Sequence, residues 1–193
     1  NIDVINSKSF SGATPSTSGH GSMVSFVAAG KFQTLNNFRG TASGAKVVAI
    51  NSNGAWKNFN NGLEYTWKYC NPGDVVNISM GAIEYANTPA TLELENNILD
   101  FRSSDVAVVI AAGNDTKPAH IRTPARLGVL YKQDSVKYNY LWVATSIVPE
   151  GSAEEIQNAT CTFKLAEYAN YGPAVRVGLI GLWQTPNGGS TYG

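Results

Sequence analysis

A chain of 193 residues, 43% apolar and 15% charged, is long enough for one domain with a sizeable core and too apolar to be disordered. Its 14 Lys and Arg balance its 14 Asp and Glu, so no charge excess points to nucleic acid or an anionic membrane surface as partner. No apolar run reaches the roughly 18 residues of a membrane span. The opening Asn1-Ile2-Asp3 is polar and does not read as a signal peptide, which leaves export of a trimmed chain open.

Residues 6–19 are rich in Ser and Gly and predict a loop. A helix is expected to start near His20 and to run through Ala29, followed by loop over 30–44. The apolar run Lys46–Ile50 predicts a buried strand. Asn58–Tyr69 predicts a helix with Phe59, Leu63, Tyr65 and Trp67 among its apolar positions, broken by Asn71-Pro72-Gly73. Val75–Met80 reads as the next strand and Thr88–Phe101 as an amphipathic helix with Leu92, Leu94, Ile98 and Leu99. Asp105–Ala111 is the clearest buried strand, and Tyr140–Thr145 is another. Residues 146–163 are less regular, Ala174–Val177 is a short strand, and Trp183–Gly193 is rich in Gly. Strands alternating with helices in this way predict an α/β fold, a doubly wound, mostly parallel sheet with helices on both faces. Neither a repeat nor a linker divides the chain, so residues 1–193 read as part of one domain.

Cys70 and Cys161 are too few for a disulfide framework and lack metal-ligand spacing, which leaves one disulfide or two buried free thiols. Glu154-Glu155 reads as a solvated charge pair. His120 lies in a Pro-flanked segment and reads as exposed. The four tryptophans read as core or cleft aromatics rather than as a sugar platform. No cofactor is evident and no carboxylate cluster suggests a metal.

The chemistry concentrates in three segments. In open parallel sheets, functional groups collect past the carboxyl ends of strands. Ser79-Met80-Gly81 and Ala112-Gly113-Asn114 both lie at such ends. A strand end rich in Gly can pair with an extended peptide by strand addition. An Asn amide held there can donate to a developing oxyanion. His20, opening a helix beside Gly19 and Gly21, can act as general base towards a serine and then as acid towards a leaving amine.

Gly19-His20-Gly21-Ser22 resembles the His-Gly-Thr motif of subtilisin-like serine peptidases, the subtilases. Gly40–Val47 is similar to their Gly-Val-Ala-Pro-x-Ala-x-Ile segment, Val76–Gly81 to their Ile-Asn-Met-Ser-Leu-Gly strand, and Ile110–Asp115 to the segment carrying their oxyanion Asn. Glu167–Pro173 resembles their Phe-Ser-Asn-x-Gly segment. The resemblance implies a serine endopeptidase working through an acyl-enzyme. His20 would be the triad base and Asn114 the side-chain oxyanion donor. Ser79, Met80 and Gly81 would bind substrate backbone and line the main specificity pocket, with Ala112 and Gly113 as its other wall. It further implies a polypeptide substrate, a secreted or extracytoplasmic location and, by family habit alone, structural calcium.

The other two triad members are not found. Ser190 sits in Gly189-Ser190-Thr191 rather than Gly-Thr-Ser, although Gly193 could open such a motif. Asp3 is followed by Val4-Ile5 rather than Thr-Gly and reads as a loop carboxylate. The nucleophilic Ser and the triad Asp are therefore expected from companion segments or chains, with a catalytically inactive peptide-binding module as the alternative. Two departures stand inside the motifs. Phe26 occupies a position where the family prefers a small residue, and Gly178–Gly181 replaces its Ala-Pro-Gly.

Overall fold

Short apolar runs bounded by turn residues recur after residue 74, at 75–78, 106–112 and 140–144, and the main sheet lies there. The structure is a computed structural model that describes residues 2–10, 19–31, 39–52, 54–81, 88–180, 182–184 and 190–192. It divides into two units, Asn1–Tyr69 and Cys70–Gly193. Parts of the expected loops at 6–19 and 30–44, and Gly189 and Gly193, lie outside the described residues.

The first unit contains β1 (Lys8–Ser9), α1 (His20–Ala29), β2 (Ile50–Asn51) and α2 (Trp56–Tyr69). β1 and β2 pair in parallel, Lys8 opposite Ile50. The buried strand expected over Lys46–Ile50 is not formed. Val47 bridges Ile2 alone, none of the five residues is buried, and Val48 is 46% exposed. The facing chain is the cause. Asp3 turns it back by accepting from Asn6 N and Asn6 Nδ2, and Ser7 N donates to the Asp3 carbonyl, so no continuous strand faces residues 46–49. Those bonds also hold the Asp3 carboxyl below its usual range, the Asn6 side-chain amide first.

α1 starts at His20, as expected, after Gly19 with φ +113°. Its C-terminal carbonyls are satisfied by a returning segment. Thr41 N donates to Val27 O and Ala42 N to Ala28 O, while Gly40 N donates to Gly30 O. Phe26 is accommodated because Gly30 has no side chain. A Cβ on Gly30 would lie 2.7 Å from the Phe26 ring. α2 begins two residues before the expected Asn58 and buries Asn60, Gly62 and Leu63, whereas Trp67 faces outwards at 47% exposure. A Cβ on Gly62 would meet the Ile50 side chain at 2.7 Å, so that glycine lets α2 lie against β2.

The second unit runs β3 (Val75–Ile78), α3 (Pro89–Asp100), β4 (Ala107–Ala111), α4 (Val129–Gln133), β5 (Leu141–Glu150), α5 (Ala153–Gln157), β6 (Thr162–Leu165), β7 (Val177–Ile180), β8 (Leu182–Gln184) and β9 (Ser190–Tyr192). β3, β4, β5 and β7 are parallel neighbours in that order, and β6 joins β5 antiparallel. This is the mostly parallel α/β sheet the sequence predicts. Ile78, Val108, Ile110, Leu141 and Val143 form its buried layer, with Val106 and Phe101 beside them. α3 contributes Leu94 and Ile98, spaced by four so that they share one helix face; Leu92, expected on that face, is exposed. Thr88 and Thr91 form reciprocal side-chain-to-backbone bonds at the start of α3, and Pro89 follows the cap.

Three expectations shift. Met80 lies past the end of β3, which stops at Ile78. β5 continues to Glu150, because β6 and β7 both pair along its second half, so much of the segment expected to be irregular is strand. β7 is Val177–Ile180 rather than Ala174–Val177. Ala174 is buried instead in the turn before β7, where its carbonyl closes on Gly128 at the head of α4 and leaves no room for a Cβ. β8 and β9 form an antiparallel pair, so Ser190 lies in a strand and not at a helix start.

Candidate active site

β3 and β4 end side by side. Ile78 pairs with Ile110, so Ser79 and Met80 leave the sheet level with Ala111 and Ala112. Neighbouring strands lie about 4.8 Å apart, which places both expected substrate-binding segments on one sheet end. Ser79 and Met80 are half-buried and Gly81 is exposed. The Ser79 hydroxyl accepts from Asn77 Nδ2 at 2.9 Å, which ties it to the same face of β3. A Cβ on Gly81 would stand 3.0 Å from the Thr123 carbonyl oxygen. The 119–125 segment therefore closes against this edge and leaves Gly81 backbone only.

Across the strand end, Ala112 is buried and its N–H donates to Ala144 O at 2.8 Å. Gly113 has φ +105°, a conformation that favours glycine, and a Cβ there would strike the Asn170 side-chain amide. The chain reverses so that Asn114 is exposed beyond the buried Ala112. The turn is fastened from below. Thr116 N donates to Tyr168 O and Thr116 Oγ1 to Glu167 O, at 3.0 and 2.7 Å. Asp115 pairs with Arg122, whose side chain is almost wholly buried. Arg126 meets Glu95 of α3 through two bonds of 2.6 and 2.7 Å, and Thr123 Oγ1 donates to the same carboxylate. The arrangement offers an exposed Gly81 past the end of β3, an exposed amide and a floor tied by hydrogen bonds and ion pairs.

His20 is the first residue of α1 in the first unit and is exposed. Ser79–Gly81 and Ala112–Asn114 are brought together within the second unit. The sequence places Asn170 within the Glu167–Pro173 segment but gives it no role, and it does not single out the Arg122–Thr123 pair. Asn170 stands between Ala169 and a Tyr-Gly-Pro turn and reads locally as a turn residue. Only its distant partners reveal it.

The remaining polar candidates have structural roles. His120, expected to be exposed, is half-buried on a one-turn helix, Ala119–Ile121, beside Gly172. Cys70 and Cys161 are free and half-buried, neither disulfide-bonded nor fully enclosed. Burial pushes the Cys70 thiol up, which keeps it protonated and a poor nucleophile. Trp142 stacks on the Arg176 guanidinium, which lies between it and Tyr131 at 3.5 and 3.7 Å from the ring centres. Glu155 bonds back to Ser152 N as the helix cap of α5. Calcium needs six or more oxygen ligands, usually with several carboxylates. Among the described residues no group of three or more His, Cys, Asp or Glu could hold a metal ion. Among the same residues no helix is long and apolar enough to cross a membrane.

Residues 3–177 match the subtilase family. The chain belongs to the subtilase family. Solved structures similar to this subtilase chain include a cold-adapted subtilisin-like serine proteinase, at 17% identity and a TM-score of 0.55 over 79% of this chain and 48% of that one. A protease from Pseudoalteromonas arctica is similar at 25% identity and a TM-score of 0.53, over 76% of this chain and 39% of that one. MycP1 without its N-terminal propeptide is similar at 16% identity and a TM-score of 0.63, over 90% and 57%. This subtilase chain spans about half the length of these structures. No curated protein sequence matches it significantly.

Proposed function

We propose that this chain is the part of a secreted subtilisin-like serine endopeptidase that supplies the general base, the oxyanion donor and the substrate-binding edge. The nucleophilic Ser and the triad Asp come from companion segments outside these 193 residues. The observation that carries the reading is the paired end of β3 and β4. The Ser79–Gly81 segment lies beside a turn that projects Asn114 from a buried base.

In this reading an extended polypeptide adds to the Ser79–Gly81 edge as a further strand, with its side chain between that edge and Ala112-Gly113. The serine oxygen attacks the scissile carbonyl carbon and His20 takes its proton. The carbonyl oxygen becomes an anion that accepts from Asn114 Nδ2. When the tetrahedral species collapses, the C–N bond breaks and the amine takes the proton back from His20. Water then repeats the sequence on the acyl-enzyme.

A fluorophosphonate probe on the intact protein, all companion segments present, tests this. Covalent labelling that is lost in His20→Ala supports it. No labelling of any segment sinks it and leaves a peptide-binding module. Replacing Asn114 with Ala is expected to lower kcat about 100- to 1,000-fold with little change in KM, because the lost bond exists only in the transition state.

A further inference from the structure

We infer that Asn170 is a positioning residue for Asn114, acting by locking the turn Ala112–Lys117 in one shape. The inference rests on the reading of Asn114 as oxyanion donor. Asn170 lies 53 to 58 residues from its side-chain partners and is fully buried. Every bond described for its side chain goes to the backbone of that turn. Nδ2 donates to Ala112 O at 2.9 Å. Oδ1 accepts from Asp115 N at 3.1 Å and from Lys117 N at 2.9 Å. Its own N–H donates to Gly113 O at 3.0 Å. Thr145 Oγ1 in turn donates to the Asn170 carbonyl, which anchors the clamp to β5.

Asn114 thus sits between two pinned peptide groups. The Gly113 carbonyl before it and the Asp115 N–H after it are both held by the same buried residue. With both flanks fixed, the direction of the Asn114 Cα–Cβ bond is fixed, while the side chain itself stays exposed. Gly113 completes the arrangement, since any side chain there would displace the Asn170 amide.

The chemistry requires an amide. An Asp at 170 keeps the two acceptor bonds but loses the donor to Ala112 O and sets two oxygens against each other. An Ala leaves the Ala112 carbonyl and two N–H groups without partners in a buried place, a costly state. A displacement of the donor by about 1 Å is enough to lower a rate 100-fold.

The test uses the intact active protein and a chromogenic peptide substrate. Asn170→Ala is expected to lower kcat about 10- to 100-fold with KM within about twofold. In an Asn114→Ala background the same change should lower kcat by less than about threefold, because the two residues act as one unit. A full, additive loss in that background, or an effect confined to KM, overturns the inference. If Asn170→Ala does not fold, the isosteric Asn170→Asp carries the same test. A second readout is independent of catalysis. Amide exchange at Asp115 and Lys117 should quicken at least tenfold in the variant while β4 and β5 exchange as in the parent. Unchanged exchange at those two amides overturns the clamp. Failure of fluorophosphonate labelling in the parent overturns the proposed function instead.

Discussion

Glu95 is a carboxylate with 6% of its surface exposed, and its neighbours explain how the fold tolerates it. Arg126 grips both oxygens and Thr123 adds a third bond. A buried pair of this kind contributes little net stability against apolar residues of the same shape, but removing one partner strands the other. Glu95→Ala is therefore expected to lower unfolding free energy by about 3–5 kcal/mol in urea titration, and a loss below about 1 kcal/mol would show that Arg126 finds another partner. Tyr140 gives a residue-scale pH effect. Burial pushes its phenol up to about 12, so the folded form keeps a proton that the unfolded chain releases near pH 10. The stabilisation is complete below about pH 10 and is lost as pH rises through about 12. Ultraviolet titration should show one of the nine tyrosines ionising near 12, and Tyr140→Phe should remove that step and flatten the alkaline loss of stability.

At the scale of elements, α3 shows what local sequence can specify. Thr88-Pro89-Ala90-Thr91 combines a hydroxyl cap, a proline in the first turn and a second hydroxyl that bonds back, and the helix starts there. Thr88→Ala should cost about 1 kcal/mol in thermal or urea unfolding, while Thr88→Ser should cost much less; equal losses would mean the threonine methyl, not the cap, is what matters. The same locality explains why α2, α3, β3 and β4 were legible from periodicity and from the breaks that bound them. β5 was legible only to Thr145. Ser146, Pro149 and Glu150 lack the apolar run of a central strand, and their extension depends on partners in β6 and β7. β7 was displaced for a related reason. Ala174 is buried by its contact with Gly128 and not by sheet pairing, so burial and strand did not coincide. Lys46–Ile50 failed the other way, an apolar run whose facing chain is a turn. At the site, Ser79–Gly81 and Ala112–Asn114 could be read as strand ends. The Asn170 clamp could not, since its meaning lies in bonds to backbone atoms more than 50 positions away.

Over the whole molecule, buried apolar side chains are unevenly distributed, and local stability should follow them. Ile78, Val108, Ile110, Leu141 and Val143 sit in one sheet with Leu94, Ile98 and Phe101 packed nearby, whereas β1 and β2 pair over two residues each beside partly exposed side chains. Amide groups exchange through openings whose free energy ranges from near zero up to that of global unfolding. The N–H groups of Val109, Ile110 and Val143 should exchange only through global unfolding, and those of Lys8 and Phe10 through local opening, at least about 100-fold faster. Hydrogen exchange followed by mass spectrometry or NMR on the intact protein decides this. Equal protection in both regions would mean that the first unit is stabilised by contacts beyond its own short strand pair. Slow exchange in β4 and β5 has a functional side. The exposed Asn114 follows β4, one of the two most deeply buried strands, so the proposed oxyanion donor is carried by the part of the sheet expected to open least.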